Sequence, residues 1–310
     1  MDGRIEIFTM IIENLFIKKF RDNFSKNINL SNYSWFNLGG NAEYFYKARD
    51  KNQLIEFLTE AKKNNINTTI LGAGSNTLFR DNGVKGAVIK LGNNFSYMRL
   101  IDKNILDVGA ATPDRKVADY AKNNSLKNLE FLSCIPGSIG GAIIMNSGCY
   151  ENDISNILIS IKAIDRKKLS EVEIKKEDIN FSYRGNNLSK DLIIISAKFK
   201  GIIGKKEEIE KKQSHFIERK KFSQPSKIKT CGSTFKNLNK QKKAWMLIKE
   251  AGCENYREGD AMISQKHCNF FVNNGNAKSS DIENLIKKVK KRVLEKTGVN
   301  LELEIKIIGE

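Results

Sequence analysis

The chain has 310 residues, 40% of them hydrophobic, and a formal net charge of +17. That size and apolar content allow two or three domains with their own cores and exclude a chain that is disordered throughout. No run of about 18 apolar residues occurs, so no membrane-spanning helix is expected.

The positive charge is dispersed. Its clusters, Arg166–Lys168, Lys205–Lys212, Lys220–Lys221 and Lys287–Arg292, read mostly as solvated helix faces interleaved with Glu, and aromatics do not alternate with them. A nucleic-acid groove has the opposite texture, so a basic nucleic-acid-binding protein is the weaker reading and no specific nucleic-acid partner is expected. The five cysteines are scattered and form no CxxC pair. Neither a disulfide framework nor a zinc site follows, and no metal is expected.

In chain order, the first twenty residues place Asp2, Glu6 and Glu13 among apolar neighbours. This interrupts the apolar centre of a secretory signal and predicts an amphipathic helix, with a cytoplasmic location by default. Lys51–Asn64 carries Leu54, Phe57, Leu58 and Ala61 at helical spacing. Thr68–Leu71 is a strand ending at Gly72, and Ala87–Leu91 follows a turn at Asp81-Asn82-Gly83. Met98 to about Lys200 reads as short strands and turns, with one helix near Arg115–Asn123.

After Gly204 the texture changes to a charged helix, Lys205–Lys221, a helix Ala244–Ala251, a strand Asn269–Asn273 and a long helix Ser280–Lys296. The last of these puts Ile282, Leu285, Ile286, Val289 and Val293 on one stripe. Leu301–Ile308 alternates, with Leu301, Leu303, Ile305 and Ile307 on one face and Glu302, Glu304 and Lys306 on the other. The result is an α+β protein with a boundary near residue 204.

Two glycine-rich loops stand out. Gly72-Ala73-Gly74-Ser75-Asn76 follows a strand, and its glycines let backbone N–H groups approach a pyrophosphate. Thr77 stands where a Rossmann fingerprint needs its third glycine, so the ordinary dinucleotide fold is not expected. In the second loop, Pro136-Gly137-Ser138-Ile139-Gly140-Gly141, the glycines open a short helix through Met145-Asn146 whose first N–H groups would be free for phosphate. Together they suggest a dinucleotide laid between two subdomains; two purely structural turns are the alternative.

An ordered set of segments then carries a resemblance: Asn37–Ala42, LGAGSNTLF at 71–79, NLEFLSCIPGSIGGAIIMNSG at 128–148, SYRG at 182–185, QPSKIKTCGSTFKN at 224–237, AWMLIKEAGC at 244–253, HCNFFVNNGNA at 267–277 and LELEIKIIG at 301–309. In this order they are similar to the UDP-N-acetylenolpyruvoylglucosamine reductase family over nearly everything beyond residue 30. The short spacing after Tyr183-Arg184 resembles the compact subgroup without the extra tyrosine-bearing loop. A flavin oxidase of the same fold acting on a small alcohol or hydroxy acid is the competing reading, and it would not require Ser233, Lys236 and Glu304.

The resemblance implies an FAD-binding domain of the vanillyl-alcohol-oxidase type over 31–203, in two subdomains split near residue 92. It further implies a substrate-binding α+β domain over 204–299 and a terminal strand, 300–310, bearing a catalytic glutamate. Residues 1–30 are read as a helical extension. NADPH would reduce FAD, which would pass hydride to the enolpyruvyl ether of a UDP-sugar, giving UDP-N-acetylmuramate for peptidoglycan. FAD would contact Gly72, Ala73, Gly74, Ser75, Asn76, Pro136, Gly137, Ser138, Gly140 and Gly141. Neither His215 nor His267 lies near these loops, so the flavin is expected to be non-covalent.

On the same implication Arg184 binds the substrate carboxylate, Ser233 donates a proton with Lys236 as the nearby cation, and Glu304 orients the enolate, with Glu302 as its structural alternative. Tyr183, Lys236, Asn237 and His267 are the expected substrate contacts, and a monomer is favoured. Cys134, Cys149 and Cys231 stand where the resemblance has small residues and are read as space-filling. Asp260 replaces a commoner glycine, and Lys306 an arginine.

Overall fold

The computed structural model describes residues 14, 16, 18–239 and 241–310. The amphipathic helix expected in the first twenty residues lies mostly outside this range. Asn14, Phe16 and Lys18–Phe20 are helical, but Phe24–Asn29 is strand β1, so the helical extension expected over 1–30 does not continue past Phe20. Phe16, Phe20 and Phe24 belong to the first core, which explains why this stretch is tied down.

The first sheet combines β1 with β2 (Asn41–Ala48), β3 (Thr68–Leu71) and β5 (Val84–Leu91) in the order β1-β2-β5-β3, and β4 (Thr77–Phe79) lies beyond it. Helix α1 (Lys51–Lys63) starts where the Asp50 side chain accepts the Gln53 N–H at 3.0 Å, a cap worth roughly 1 kcal/mol. Its helical spacing buries Leu54, Phe57, Leu58 and Ala61 against the sheet. Phe57 stacks on Tyr46 with ring centroids 3.9 Å apart.

The second sheet is antiparallel and joins β6 (Met98–Asp102), β7 (Ile105–Gly109), β8 (Leu158–Asp165), β9 (Ser170–Lys175) and β10 (Leu192–Lys200) in the order β9-β8-β10-β7-β6. Helices α2 (Asp114–Asn123) and α3 (Ile139–Ile144) fill its core with Val117, Ala118, Ala121, Ile139 and Ile143.

Helix α4 (Lys206–Ser223) follows directly on the boundary expected near residue 204. It packs on the second lobe: Phe216 joins that core, Gln213 Nε2 donates to Ala118 O at 2.9 Å, and Lys220 Nζ donates to Cys134 O at 2.7 Å. The change of packing partner comes after Ser223. The third lobe holds β11 (Arg257–Glu258), β12 (Ala261–Ile263) and β13 (Phe271–Asn273) under α5 (Ala244–Glu250) and α6 (Ser279–Thr297). Phe36, Leu38, Leu301 and Ile305 come from elsewhere in the chain to complete its core.

The alternating C-terminal segment forms a regular strand only at β14 (Lys306–Ile308), parallel to β4. Upstream it lies against the 234–236 segment, where Lys236 N–H donates to Glu302 O at 2.8 Å and Glu304 N–H to Thr234 O at 2.9 Å. A second clasp joins the first and third lobes. Asp81 accepts the Ser279 and Ser280 N–H groups at 2.7 and 2.9 Å, placing a carboxylate at the positive end of α6. Among the described residues, no helix is long and apolar enough to cross a membrane.

Because α4 docks on the second core through a single aromatic, Phe216→Ala should cost about 3–5 kcal/mol. Urea unfolding checks this; a loss below about 1 kcal/mol would place α4 outside that cooperative unit.

Candidate active site

The two glycine loops face one another. A methyl group added to Gly72 would lie 3.0 Å from Ser138 Oγ, and one on Gly137 would lie 2.8 Å from Asp114 Oδ2 and 3.5 Å from Ser75 Oγ. Gly74 has φ +69°, and a side chain there would collide with Tyr33 O. The N–H groups of Ala73, Gly74, Ser75, Gly137, Ser138 and Gly141 meet no backbone acceptor among the described residues.

The short helix α3 is less open than its sequence suggests. Ile139 N–H donates to Thr112 O at 3.0 Å and Gly140 N–H to Ala110 O at 2.9 Å, because the helix start is sutured to the strand end at 109–112. Gly140 therefore supplies close packing rather than a free donor.

Asp114 was not singled out from sequence. It is 0% exposed, and neither carboxyl oxygen has a hydrogen-bond partner. Burial alone drives its pKa well above the ordinary carboxylate range, which favours the neutral carboxyl under the loops. A crease of free amides and hydroxyls over a neutral acid fits a dinucleotide diphosphate.

At the end of this crease Arg184 meets Glu304, 120 positions away, with Nε to Oε1 at 2.7 Å. Arg184 sits at the tip of the hairpin Phe181–Ser182/Gly185–Asn186 with a left-handed φ of +56°, a conformation costing about 1–2 kcal/mol for a non-glycine residue. Asn186 Nδ2 holds the hairpin to Ile143 O at 2.9 Å and Asn146 Nδ2 to Ser182 O at 3.0 Å, while Arg184 Nη2 donates to Gly148 O at 3.0 Å. Burial works against both charges. It pushes the Glu304 pKa up, with Arg184 and then Lys236 pulling it back. For Arg184 burial is the largest effect and lowers the pKa, but Glu304, Tyr183 and Cys149 together outweigh it and hold the guanidinium above its usual value.

The two glutamates separate clearly. The Glu304 side chain is 15% exposed and faces Arg184, whereas Glu302 is 75% exposed and faces Lys236 Nζ at 3.4 Å. Lys236, expected to lend its charge to Ser233, is thus drawn to Glu302. Ser233 bridges to Phe270, with the next residue accepting the Glu304 N–H. Tyr183 OH accepts from Asn237 N and Nδ2 at 3.4 and 3.2 Å, and the Arg184 guanidinium lies 5.0 Å from the Tyr183 ring. Asn76 Nδ2 donates to Glu304 O at 3.0 Å, which links the first glycine loop to the acid. His267 stands apart: its ring packs on Trp245 and Phe270, Nδ1 accepts the Asn269 N–H at 3.3 Å, and burial lowers its pKa.

Asn146, Asn186 and Gly148 also escaped notice in the sequence. Only Asn146 carried a signal: φ is +40°, and asparagine tolerates that region best among non-glycine residues.

The family model described as an FAD binding domain matches residues 42–168, spanning both glycine loops. The chain is accordingly an FAD-binding flavoprotein. The model described as UDP-N-acetylenolpyruvoylglucosamine reductase, C-terminal domain, matches residues 224–308, beginning directly after α4.

The chain is 45% identical to the UDP-N-acetylenolpyruvoylglucosamine reductase of Pelagibacter ubique over 94% of its own length and 98% of the relative's. It is 42% identical to that of Rickettsia bellii over 93% and 94%. Its fold matches the crystal structure of the reductase from Thermus caldophilus with a TM-score of 0.80 at 30% identity, covering 92% of this chain and 98% of that one. The chain belongs to the UDP-N-acetylenolpyruvoylglucosamine reductase family.

Asp114 yields a pH signature. Its folded pKa lies above the unfolded value of about 3.9, so the stability it contributes is complete below that value. It is lost as pH rises towards the folded pKa, at about 1.4 kcal/mol per unit. Asp114→Asn, neutral throughout, should gain on the wild type as pH rises from about 4.5 to 7.5 in urea unfolding. A constant difference across that range would mean that Asp114 is partnered and ionised in the fold.

Proposed function

We propose that the chain reduces the enolpyruvyl ether of UDP-N-acetyl-3-O-(1-carboxyvinyl)-glucosamine to UDP-N-acetylmuramate, with NADPH as reductant. The observation that carries this reading is the Arg184–Glu304 pair at the end of the glycine crease, tied to the first loop by Asn76. When bound, FAD supplies the hydride chemistry, relaying two electrons from NADPH to the substrate. The residues that would hold it are Gly72–Asn76, Pro136–Ser138 and Gly141, with Gly140 allowing the close packing beneath them.

The protein's part is to bind, orient and stabilise charge. Arg184 spends Nε on Glu304 and Nη2 on Gly148, and its remaining donors suit a carboxylate on which negative charge develops. Glu304, made more basic by burial, shares a proton with the developing enolate oxygen. Ser233 delivers the proton to carbon. Tyr183, Lys236 and Asn237 hold the sugar nucleotide, Lys236 at its diphosphate, and His267 supports that wall.

In the same reading the two N-terminal lobes, with α4, hold FAD, residues 224–299 hold the substrate, and the terminal segment brings in Glu304. Each lobe closes its core within the chain, which favours a monomer. Five free thiols suit the reducing cytoplasm.

The protein should purify yellow, and acid precipitation should release all the flavin into the supernatant; colourless protein that FAD cannot reconstitute would overturn the reading. Rapid mixing in two stages then isolates Ser233. Ser233→Ala should still bleach the flavin with NADPH at close to the wild-type rate, while reoxidation by the enolpyruvyl sugar slows by roughly 10²- to 10⁴-fold. Glu304→Gln should resemble it, and Glu302→Gln should be mild. Equal loss in both stages for Ser233→Ala would make that serine structural.

A further inference from the structure

The first glycine loop is held from behind at alternate carbonyls. Lys90 Nζ donates to Gly72 O at 2.6 Å, Trp35 N–H to Gly74 O at 3.1 Å and Lys306 N–H to Asn76 O at 2.9 Å. The described residues contain no cis peptide bond, and in a trans peptide the carbonyl and the following N–H point in opposite directions. Ala73 N–H therefore leaves the loop on the side away from Lys90, and Ser75 N–H on the side away from Trp35. Neither meets a backbone acceptor among the described residues. The same turn faces the second glycine loop: a methyl group on Gly72 would lie 3.0 Å from Ser138 Oγ, and one on Gly137 would lie 3.5 Å from Ser75 Oγ. Two of the three supports are backbone groups, so Lys90 is the one that a side chain supplies.

Lys90 also breaks the pattern of its own strand. On one face β5 carries Val84 and Val88, which share a core with Phe45 and Leu71. Alternation puts position 90 on that same face, where an apolar residue would continue the stripe. Lys90 stands opposite Leu71 of β3 and Lys47 of β2. That is the carboxyl end of three parallel strands, the edge at which open α/β sheets bind ligands. Burial lowers the Lys90 pKa, and a second cation, Lys47, lowers it further. An anion held nearby favours such a charge.

We propose that Lys90 is a positioning residue for FAD: by holding the Gly72 carbonyl it keeps Ala73 N–H turned outward for the diphosphate. The ammonium acts through the loop and makes no bond to the cofactor. It fixes the plane of the Gly72–Ala73 peptide before the cofactor arrives, so that binding does not have to order it. A cation on the carbonyl also polarises the peptide, which makes Ala73 N–H a stronger donor. The role concerns FAD alone and is independent of which substrate the reduced flavin meets.

Full-length protein stripped of flavin is titrated with FAD, and the reloaded protein is read by phosphorus NMR. Lys90→Met keeps an unbranched stem and removes both charge and donor. It should raise the FAD dissociation constant by roughly 10- to 100-fold, the scale of one charge-assisted hydrogen bond. Lys90→Arg keeps both and should recover most of the loss. The diphosphate resonances of bound FAD should move in Lys90→Met, while the flavin absorbance spectrum, which reports the ring system, stays as in the wild type. Lys47→Met removes the same charge from the neighbouring strand and should weaken FAD far less.

An unchanged dissociation constant in Lys90→Met overturns the role. A weaker affinity that leaves the phosphorus resonances in place, or that Lys90→Arg does not recover, also overturns it, because Lys90 would then prop the sheet and not the phosphate loop. An equal loss in Lys47→Met would reduce the effect to net charge and overturn it as well. So would a Lys90→Met protein that fails to fold while Lys90→Arg folds and binds FAD poorly.

Discussion

A guanidinium and a carboxylate removed together from water constrain everything around them. Arg184 and Glu304 are both largely buried, and leaving either without the other would cost about 3–5 kcal/mol. Their pairing is sustained only because further hydrogen bonds occupy what the ion pair leaves over. Gly148 O takes one guanidinium donor, while Asn76 and Thr234 fix the backbone of Glu304 from either side. The left-handed backbone at Arg184 is a further cost, and it persists because Asn146 and Asn186 fasten the hairpin from below.

This pair explains why the chain crosses between lobes as it does. The C-terminal segment leaves the third lobe, passes the 234–236 segment and ends as a strand beside β4 in the first lobe. Glu304 lies midway along that path. Asp81 clasps α6 to the first lobe near the same strand, so the positions of the acid and of the first glycine loop are set by one rigid junction. The second glycine loop is held differently, by the suture of α3 to the strand end at 109–112 and by α4 across its back.

Much of this was legible in the sequence, and the misses have physical causes. Glycine loops announce themselves because only a missing side chain allows the close approach seen at Gly74 and Gly137. Helices α1 and α6 were readable because each buries one clean stripe. Helix α4 was equally readable as a helix, but it buries only Ile209, Gln213 and Phe216, and periodicity does not say which core such a face meets. Alternation put Glu302 and Glu304 on one face of a strand. What separates them is the Arg184 hairpin, which covers one and not the other, and that cover comes from 120 positions away. Asp114 carries no local signal in the sequence; its significance arises only from complete burial under a loop distant in sequence. Arg184, Ser233 and Glu304 are proposed only through the ordered family segments, since none has a local pattern that names its chemistry.

Buried together, Arg184 and Glu304 are proposed to act on the substrate as one unit. A double-mutant cycle of Arg184→Lys and Glu304→Gln, read as the single-turnover rate at which the enolpyruvyl sugar reoxidises the reduced flavin, tests it most directly. The double variant should be no slower than the slower single variant, because either change already dismantles the pair. Losses that simply add in free energy would show two residues working independently and would contradict the proposal.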